Sequence, residues 1–241
     1  AGRPVGGGGG GALDQGGARV IAVLDYGIGN LRSAQKALQA VGGDAVLAER
    51  PGEARGASGV VLPGVGAFGA ARAALSATGL DDVATAAVAA GVPFLGICVG
   101  LQLCYEASDE SPEIPGLGLL PGQVRPLPGG VKRPQMQWNL LHPLPGPPSP
   151  LLEALGPEPW VYFVHSYAPE IGPHTVATCD YGGPVAAAVA RGALWGTQFH
   201  PEKSGPAGLA LLAAFVDRCR AHAGGGADTP VGAVGGPGGR G

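Results

Sequence analysis

Apolar residues in this chain fall into short unbroken runs, separated by stretches in which they recur at helical spacing. Val20–Leu24 (V-I-A-V-L) is continuous and ends at Asp25, as expected of a strand buried on both faces. After D-Y-G-I-G-N, Leu31, Ala34, Leu38 and Val41 recur at three- and four-residue intervals until Gly42 and Gly43, which predicts a helix. Residues 45–47 fit a second short strand, and residues 58–62 (S-G-V-V-L) predict a third, followed by P-G-V-G-A-F. Residues 69–77 and 81–90 are Ala-rich and predict two helices. Phe94, Leu95 and Ile97, bounded by Pro93 and by glycines, predict a fourth strand. Strands alternating with helices imply an α/β fold with a mostly parallel central sheet flanked by helices. Such sheets bind ligands at the carboxyl ends of their strands.

The texture changes near residue 112. Prolines crowd residues 112–159, and short extended pieces at 124–127 and 135–138 replace the strand–helix rhythm, with one helical turn at 151–155. Residues 161–167, 176–179, 185–190 and 194–199 read as strands. Leu209, Leu212, Phe215, Val216 and Cys219 trace a closing amphipathic helix. The second half is therefore expected to add a mixed or antiparallel β region to the sheet.

Composition sets the limits. The 241 residues suffice for one sizeable α/β domain. Much of the excess of glycine (46) and proline (24) lies at the ends, where residues 6–11 are all glycine. Residues 1–18 and 223–241 are expected to be disordered tails around a domain at 19–222, because they bury too little to offset their ordering entropy. A net charge of −3 with 15 Lys and Arg argues against nucleic acid as a partner. No apolar run approaches the ~20 residues of a membrane span, and no leader is evident. The four cysteines show no metal-ligand spacing, and a reduced, cytoplasmic protein without metal is the simplest reading.

Candidate chemistry begins at P-F-L-G-I-C-V-G-L-Q, residues 93–102. Gly96 and Gly100 bracket Cys98, a pattern of strand, tight turn and helix that presents a nucleophile. A cysteine at a helix start lies near the positive end of the dipole, which favours thiolate. Gln102, four residues on, shares its helical face. A small buried cysteine would fit the same stretch. At residues 64–66 a run of N–H groups fits an anion-binding nest, or an ordinary strand-to-helix turn. D-Y-G-I-G-N has Arg32 where a dinucleotide fingerprint needs its third glycine.

H-P-E-K-S, residues 200–204, follows a strand directly. His200 and Glu202 are two apart in what reads as an extended segment, so they face one side, with Pro201 fixing the backbone between them. A carboxylate so placed accepts a hydrogen bond from one imidazole nitrogen and leaves the other free as a base. With a candidate nucleophile elsewhere in the chain, the pair points to nucleophilic catalysis. The acid follows the histidine, whereas in α/β-hydrolases it precedes it.

Four motifs in this order, L-P-G-V-G-A-F, L-G-I-C-V-G-L-Q, Y-F-V-H-S-Y and T-Q-F-H-P-E-K-S, resemble the glutaminase domain of triad-type (class I) glutamine amidotransferases, whose fold is flavodoxin-like. The resemblance spans about residues 19–222. V-L-D-Y-G-I-G-N-L-R-S and P-x-M-x-W-N narrow it to glutaminase subunits of imidazole glycerol phosphate synthases, in histidine biosynthesis. The resemblance implies hydrolysis of L-glutamine through a Cys98 thioester, with His200 moving the proton and Glu202 orienting it. It implies an oxyanion hole from the backbone of Gly64, Val65, Gly66 and Val99, and glutamine held by Gly66, Gln102, Ser166 and Tyr167. It implies no cofactor. It implies a (β/α)8-barrel cyclase partner that receives the ammonia, with Asn30, Trp138 and Lys203 as candidate contacts.

Two departures stand out. The family usually reads P-H-M-G-W-N, where this chain has Gln135 and Gln137; Leu101 stands where methionine is common. Gln137 for glycine is expected to add bulk and remove backbone freedom near the interface. The alternatives are a glutaminase serving a different synthase, a cysteine hydrolase of another family, and a catalytically silent scaffold subunit.

Overall fold

β1 (Val20–Leu24) is wholly apolar because both its faces are covered, and it runs parallel to its two neighbours. The computed structural model describes residues 20–146 and 149–224, so both expected Gly-rich tails lie outside the described residues, apart from positions 223 and 224. The first half is a strand–helix alternation: α1 (Leu31–Ala40), β2 (Asp44–Ala48), β3 (Gly59–Gly64), α2 (Phe68–Thr78), α3 (Leu80–Ala89) and β4 (Phe94–Cys98). α1 buries Leu31, Ala34, Ala37 and Leu38, close to the stripe its spacing predicts.

The second half holds α4 (Val99–Leu103), β5 (Ala107–Ser108), β6 (Gln123–Pro126), β7 (Gln135–Leu140), β8 (His142–Pro143) and α5 (Pro150–Glu153). It continues with β9 (Trp160–His165), β10 (Tyr167–Pro169), β11 (Thr175–Asp180), β12 (Pro184–Arg191), β13 (Leu194–Thr197) and α6 (Gly205–Ala223). Eight strands form one sheet in the order β2-β1-β3-β4-β13-β12-β11-β8. The five from β2 to β13 are parallel, and β12, β11 and β8 continue antiparallel. The β11–β12 hairpin thus extends the main sheet itself. Two smaller sheets, β10-β6-β5 and β7-β9, stand apart from it. The expected strand at 161–167 breaks at Ser166, where β9 leaves β7 and β10 joins β6.

The core joins both halves. Phe94, Leu95, Leu62 and Val61 from the middle of the sheet pack with Phe199, Phe163 and Phe215, all essentially inaccessible. α6 closes over the start of β3, and a Cβ on Gly59 would lie 2.2 Å from Cys219 Sγ. Among the described residues no helix is long and apolar enough to cross a membrane.

Candidate active site

β4 and β13 are adjacent and parallel, and both end where the chemistry-bearing residues begin. β3 pairs with β4 through Gly64 opposite Cys98. β13 pairs with β4 through Thr197 opposite Ile97, so the next step sets Gln198 beside Cys98. Three segments distant in sequence, 64–66, 98–102 and 198–202, are thereby brought to one carboxyl edge of the sheet.

Cys98 turns the chain from β4 into α4 at φ 55° and ψ −111°, the one non-glycine residue with positive φ among the described residues. Such a conformation costs ~1–3 kcal/mol and persists only when its surroundings hold it. Here they do so by close packing: a Cβ on Gly100 would lie 1.8 Å from the Leu62 carbonyl oxygen, and one on Gly64 would lie 2.6 Å from the Gly100 nitrogen. α4 therefore lies directly on β3, and the cysteine projects from the seam. Tyr26 secures the same seam by donating its O–H to the Pro63 carbonyl at 2.7 Å. Burial and the nearby Cys98 sulfur raise the Tyr26 phenol, so it stays a donor.

His200 and Glu202 meet by a route that differs from the expected extended segment. Residues Pro201–Lys203 form a 3₁₀ turn, and that turn folds the Glu202 carboxylate back onto the ring. Nδ1 of His200 donates to Glu202 Oε1 at 2.7 Å, with both side chains 2% exposed. Ser204 clamps the turn: its hydroxyl donates to the His200 carbonyl at 2.6 Å and accepts from the Tyr162 N–H at 3.0 Å. The His200 N–H in turn donates to the Tyr162 carbonyl. Nε2 of His200 is left buried without a hydrogen bond. Burial alone would lower the imidazole pKa, but the Cys98 sulfur and the Glu202 carboxylate outweigh it and raise it to about 9. The cysteine, the imidazole and the carboxylate are thus assembled as one constellation.

The cavity they face has a volume of about 360 Å³. Val65, Gly66, Val99, Gln102, Ser166 and Tyr167 line it together with Cys98 and His200. Gly64 is not on the wall but behind it, as the packing point of the seam. Lys203 is exposed and also lines the cavity, whereas Asn30 sits at the start of α1 beside a separate shallow hollow. Trp138 lies on β7 with its ring edge-on to Tyr162 and is 47% exposed.

Two wall residues, Glu110 and His165, and one behind the wall, Gln198, were not legible as candidates. Glu110 brings a carboxylate to the cavity while accepting the Phe68 N–H at 2.8 Å. His165 donates through Nδ1 to the Tyr167 carbonyl at 2.9 Å, and burial holds its pKa down to about 4, so it is a neutral ring with a bare Nε2. Gln198, fully buried, donates to Cys98 Sγ at 3.5 Å. The other cysteines contribute nothing here: burial raises Cys104 and Cys219 to about 12 and Cys179 to about 11, so they remain thiols.

Gln135 and Gln137 sit in regular ladder positions of β7, opposite His165 and Phe163. Gln137 is exposed and not in the left-handed region, so this position asks for no glycine. Gln135 is fully buried, with its amide 3.9 Å from Cys179 Sγ. A larger hollow, about 720 Å³, lies between β11, α5 and Arg218 and has no cysteine in its wall. Among the described residues no group of three or more His, Cys, Asp or Glu is placed to hold a metal.

The sequence of glutamine amidotransferase class-I domains matches residues 22–219. The imidazole glycerol phosphate synthase subunit HisH of Symbiobacterium thermophilum is 48% identical over 195 residues, 80% of this chain and 91% of that protein. The protein of the same name from Synechococcus elongatus is 48% identical over 206 residues, 83% and 94% of the two chains. Among solved structures, a glutamine amidotransferase superposes with a TM-score of 0.66 at 21% identity, covering 83% of this chain and 98% of the other. The PurLQS structure from Thermotoga maritima has a TM-score of 0.66 at 19% identity, covering 82% and 97%, and likewise speaks for the fold. With the family's domain matched over most of its length and its fold reproduced, the chain belongs to the class-I glutamine amidotransferase family.

Proposed function

We propose that this protein is the glutaminase subunit of an imidazole glycerol phosphate synthase, hydrolysing L-glutamine and passing the ammonia to a cyclase subunit in histidine biosynthesis. The observation that carries the chemistry is the buried Cys98–His200–Glu202 constellation at one cavity edge. The relatives named above carry the choice of synthase.

The steps follow from the geometry. Cys98 gives its proton to Nε2 of His200, which is free because Nδ1–H is committed to Glu202. The sulfur attacks the side-chain amide carbon, and negative charge gathers on the amide oxygen. Val65, Gly66 and Val99 line the wall there, and we assign their backbone N–H groups to that charge; one such donor is worth ~3–4 kcal/mol of barrier. His200 then hands its proton to the departing nitrogen, and ammonia leaves behind a thioester. Water, deprotonated by His200, attacks the thioester and frees glutamate and the thiol. We assign the Glu110 carboxylate to the substrate ammonium; Gln102, Ser166 and Tyr167 line the same cavity.

Ammonia released to water becomes mostly ammonium, which is no nucleophile, so it must be handed over directly. Met136, Trp138, Tyr162 and Trp160 share one face of the β7–β9 ribbon, with Met136 62% and Trp160 54% exposed. An apolar patch of this kind suits a docking face for a (β/α)8-barrel cyclase. A cytoplasmic location fits four free, buried cysteines.

The decisive experiment is a glutamine hydrolysis assay with the cyclase and its ribonucleotide present. Robust turnover is expected from the wild type and none from Cys98→Ala. Turnover retained by Cys98→Ala would remove the nucleophile from this reading, and co-purification with a different synthase would remove the choice of acceptor.

A further inference from the structure

We infer that Gln198 is a further catalytic residue of this site: its side-chain amide donates a hydrogen bond to the Cys98 sulfur, and Gln102 fixes which end of that amide faces it. The orientation follows from a chain of contacts with one consistent solution. The Tyr167 carbonyl can only accept, so the Gln102 atom 2.8 Å from it must be the amide nitrogen. That nitrogen also lies 3.0 Å from the end of Gln198, which must therefore be the Gln198 oxygen. The remaining end of Gln198 is then its NH₂ group, and it lies 3.5 Å from Cys98 Sγ.

Burial makes this arrangement consequential. Gln198 is fully buried and Gln102 is 3% exposed, so water does not compete for either amide. A hydrogen bond to an ionised acceptor is stronger than one to a neutral acceptor, so the Gln198 N–H favours the thiolate over the thiol. The sulfur also reaches the Val164 carbonyl at 4.0 Å, a long contact that only the thiol can make, so the shorter contact from the Gln198 N–H is the one that speaks for the thiolate. His200 supplies the charge partner, and Gln198 supplies a neutral donor held by sheet register. The same chain ties the sulfur to the cavity wall. Both N–H groups of Gln102 are spent on Tyr167 and Gln198, which leaves its oxygen toward the cavity.

The inference rests on Cys98 being the nucleophile proposed above, but its test needs no glutamine and no partner. The rate of Cys98 alkylation by iodoacetamide is followed from pH 5 to 10 in the whole protein, with Cys98→Ala as blank. Gln198→Met keeps the bulk and removes the donor. It is expected to raise the midpoint of the profile by about one pH unit and to slow alkylation at neutral pH about tenfold. Gln102→Met, which frees Gln198 to turn, is expected to shift the midpoint the same way by less. A purely structural Gln198 would lower thermal stability and leave the midpoint unmoved, and that result overturns the proposal. Should Gln198→Met not fold, ¹⁵N-glutamine labelling of wild type decides. One side-chain NH₂ pair should shift with the alkylation midpoint and lose that shift in Cys98→Ala; no such pair overturns the proposal. Failure of wild type to hydrolyse glutamine with the cyclase would instead defeat the functional reading, leaving the alkylation profile to judge Gln198 on its own.

Discussion

Replacing Gly100 with alanine tests whether Cys98, the proposed nucleophile, is held by backbone packing. The added Cβ would lie 1.8 Å from the Leu62 carbonyl oxygen and 2.7 Å from its carbon. Both atoms belong to the main chain of β3, buried between β1 and β4, and cannot rotate aside. Against the ~3.5 Å of a comfortable contact, the gap is short by about 1.7 Å. α4 must therefore lift or tilt, and α4 carries Cys98 at its start and Gln102 one turn along. Alanine is a better helix former than glycine by ~1 kcal/mol. Overpacking costs ~1–3 kcal/mol, so the net destabilisation reaches about 2 kcal/mol. The effect on rate should be larger, because a misplacement near 1 Å at reacting groups costs ~100-fold. Glutamine hydrolysis with the cyclase, Cys98 alkylation and thermal unfolding should be measured side by side. Gly52→Ala is the control, since nothing lies within 4 Å of its Cβ and its φ is ordinary. A Gly100→Ala protein with wild-type Tm and hydrolysis within twofold would refute the reasoning.

Two other outcomes are expected. His200 is held near 9 instead of the ordinary 6.5, so its protonated form is favoured by folding. That stabilisation is complete below about pH 6.5 and is lost as pH rises through 9. The Tm difference between wild type and Glu202→Gln should therefore be largest at pH 6 and shrink by pH 10, and a constant difference across thermal melts would defeat the assignment. Trp138→Ala should weaken cyclase binding by about 30-fold or more by calorimetry, the size of an interface hot spot, while leaving Cys98 alkylation of the free subunit unchanged. An unaltered Kd would move the docking face elsewhere.

Local pattern made the parallel half legible. Val20–Leu24, residues 58–62 and Phe94–Cys98 are apolar runs because helices cover both sheet faces, and no other element fits such runs of that length. The elbow was legible because only glycine tolerates its contacts, so Gly96 and Gly100 had to flank Cys98. What depends on pairing left no local mark. Nothing in T-Q-F-H-P-E shows that β13 lies beside β4, so Gln198 could not be placed against Cys98. The 3₁₀ turn at Pro201–Lys203 was hidden by the apparent continuation of a strand, although the resulting His200–Glu202 contact is the one the spacing suggested. The antiparallel extension was legible as an addition to the sheet, but the order in which β12, β11 and β8 continue it was not, because strand partners leave no local mark.

The pairing of β4 with β13 has a consequence for what can change in this protein. Neighbouring strands stand ~4.8 Å apart whatever connects them. The spacing of thiol and imidazole is therefore set first by two short hydrogen-bonded segments, with the Tyr162 backbone of β9 holding the histidine end. Within the ribbon, the exposed side chains of Met136, Trp138 and Trp160 can be rebuilt for another acceptor protein, whereas the Tyr162 backbone and the cavity wall at residues 164–167 must stay for hydrolysis to persist. An engineer seeking to redirect the ammonia would leave that strand pair alone and redesign only the surface outside it.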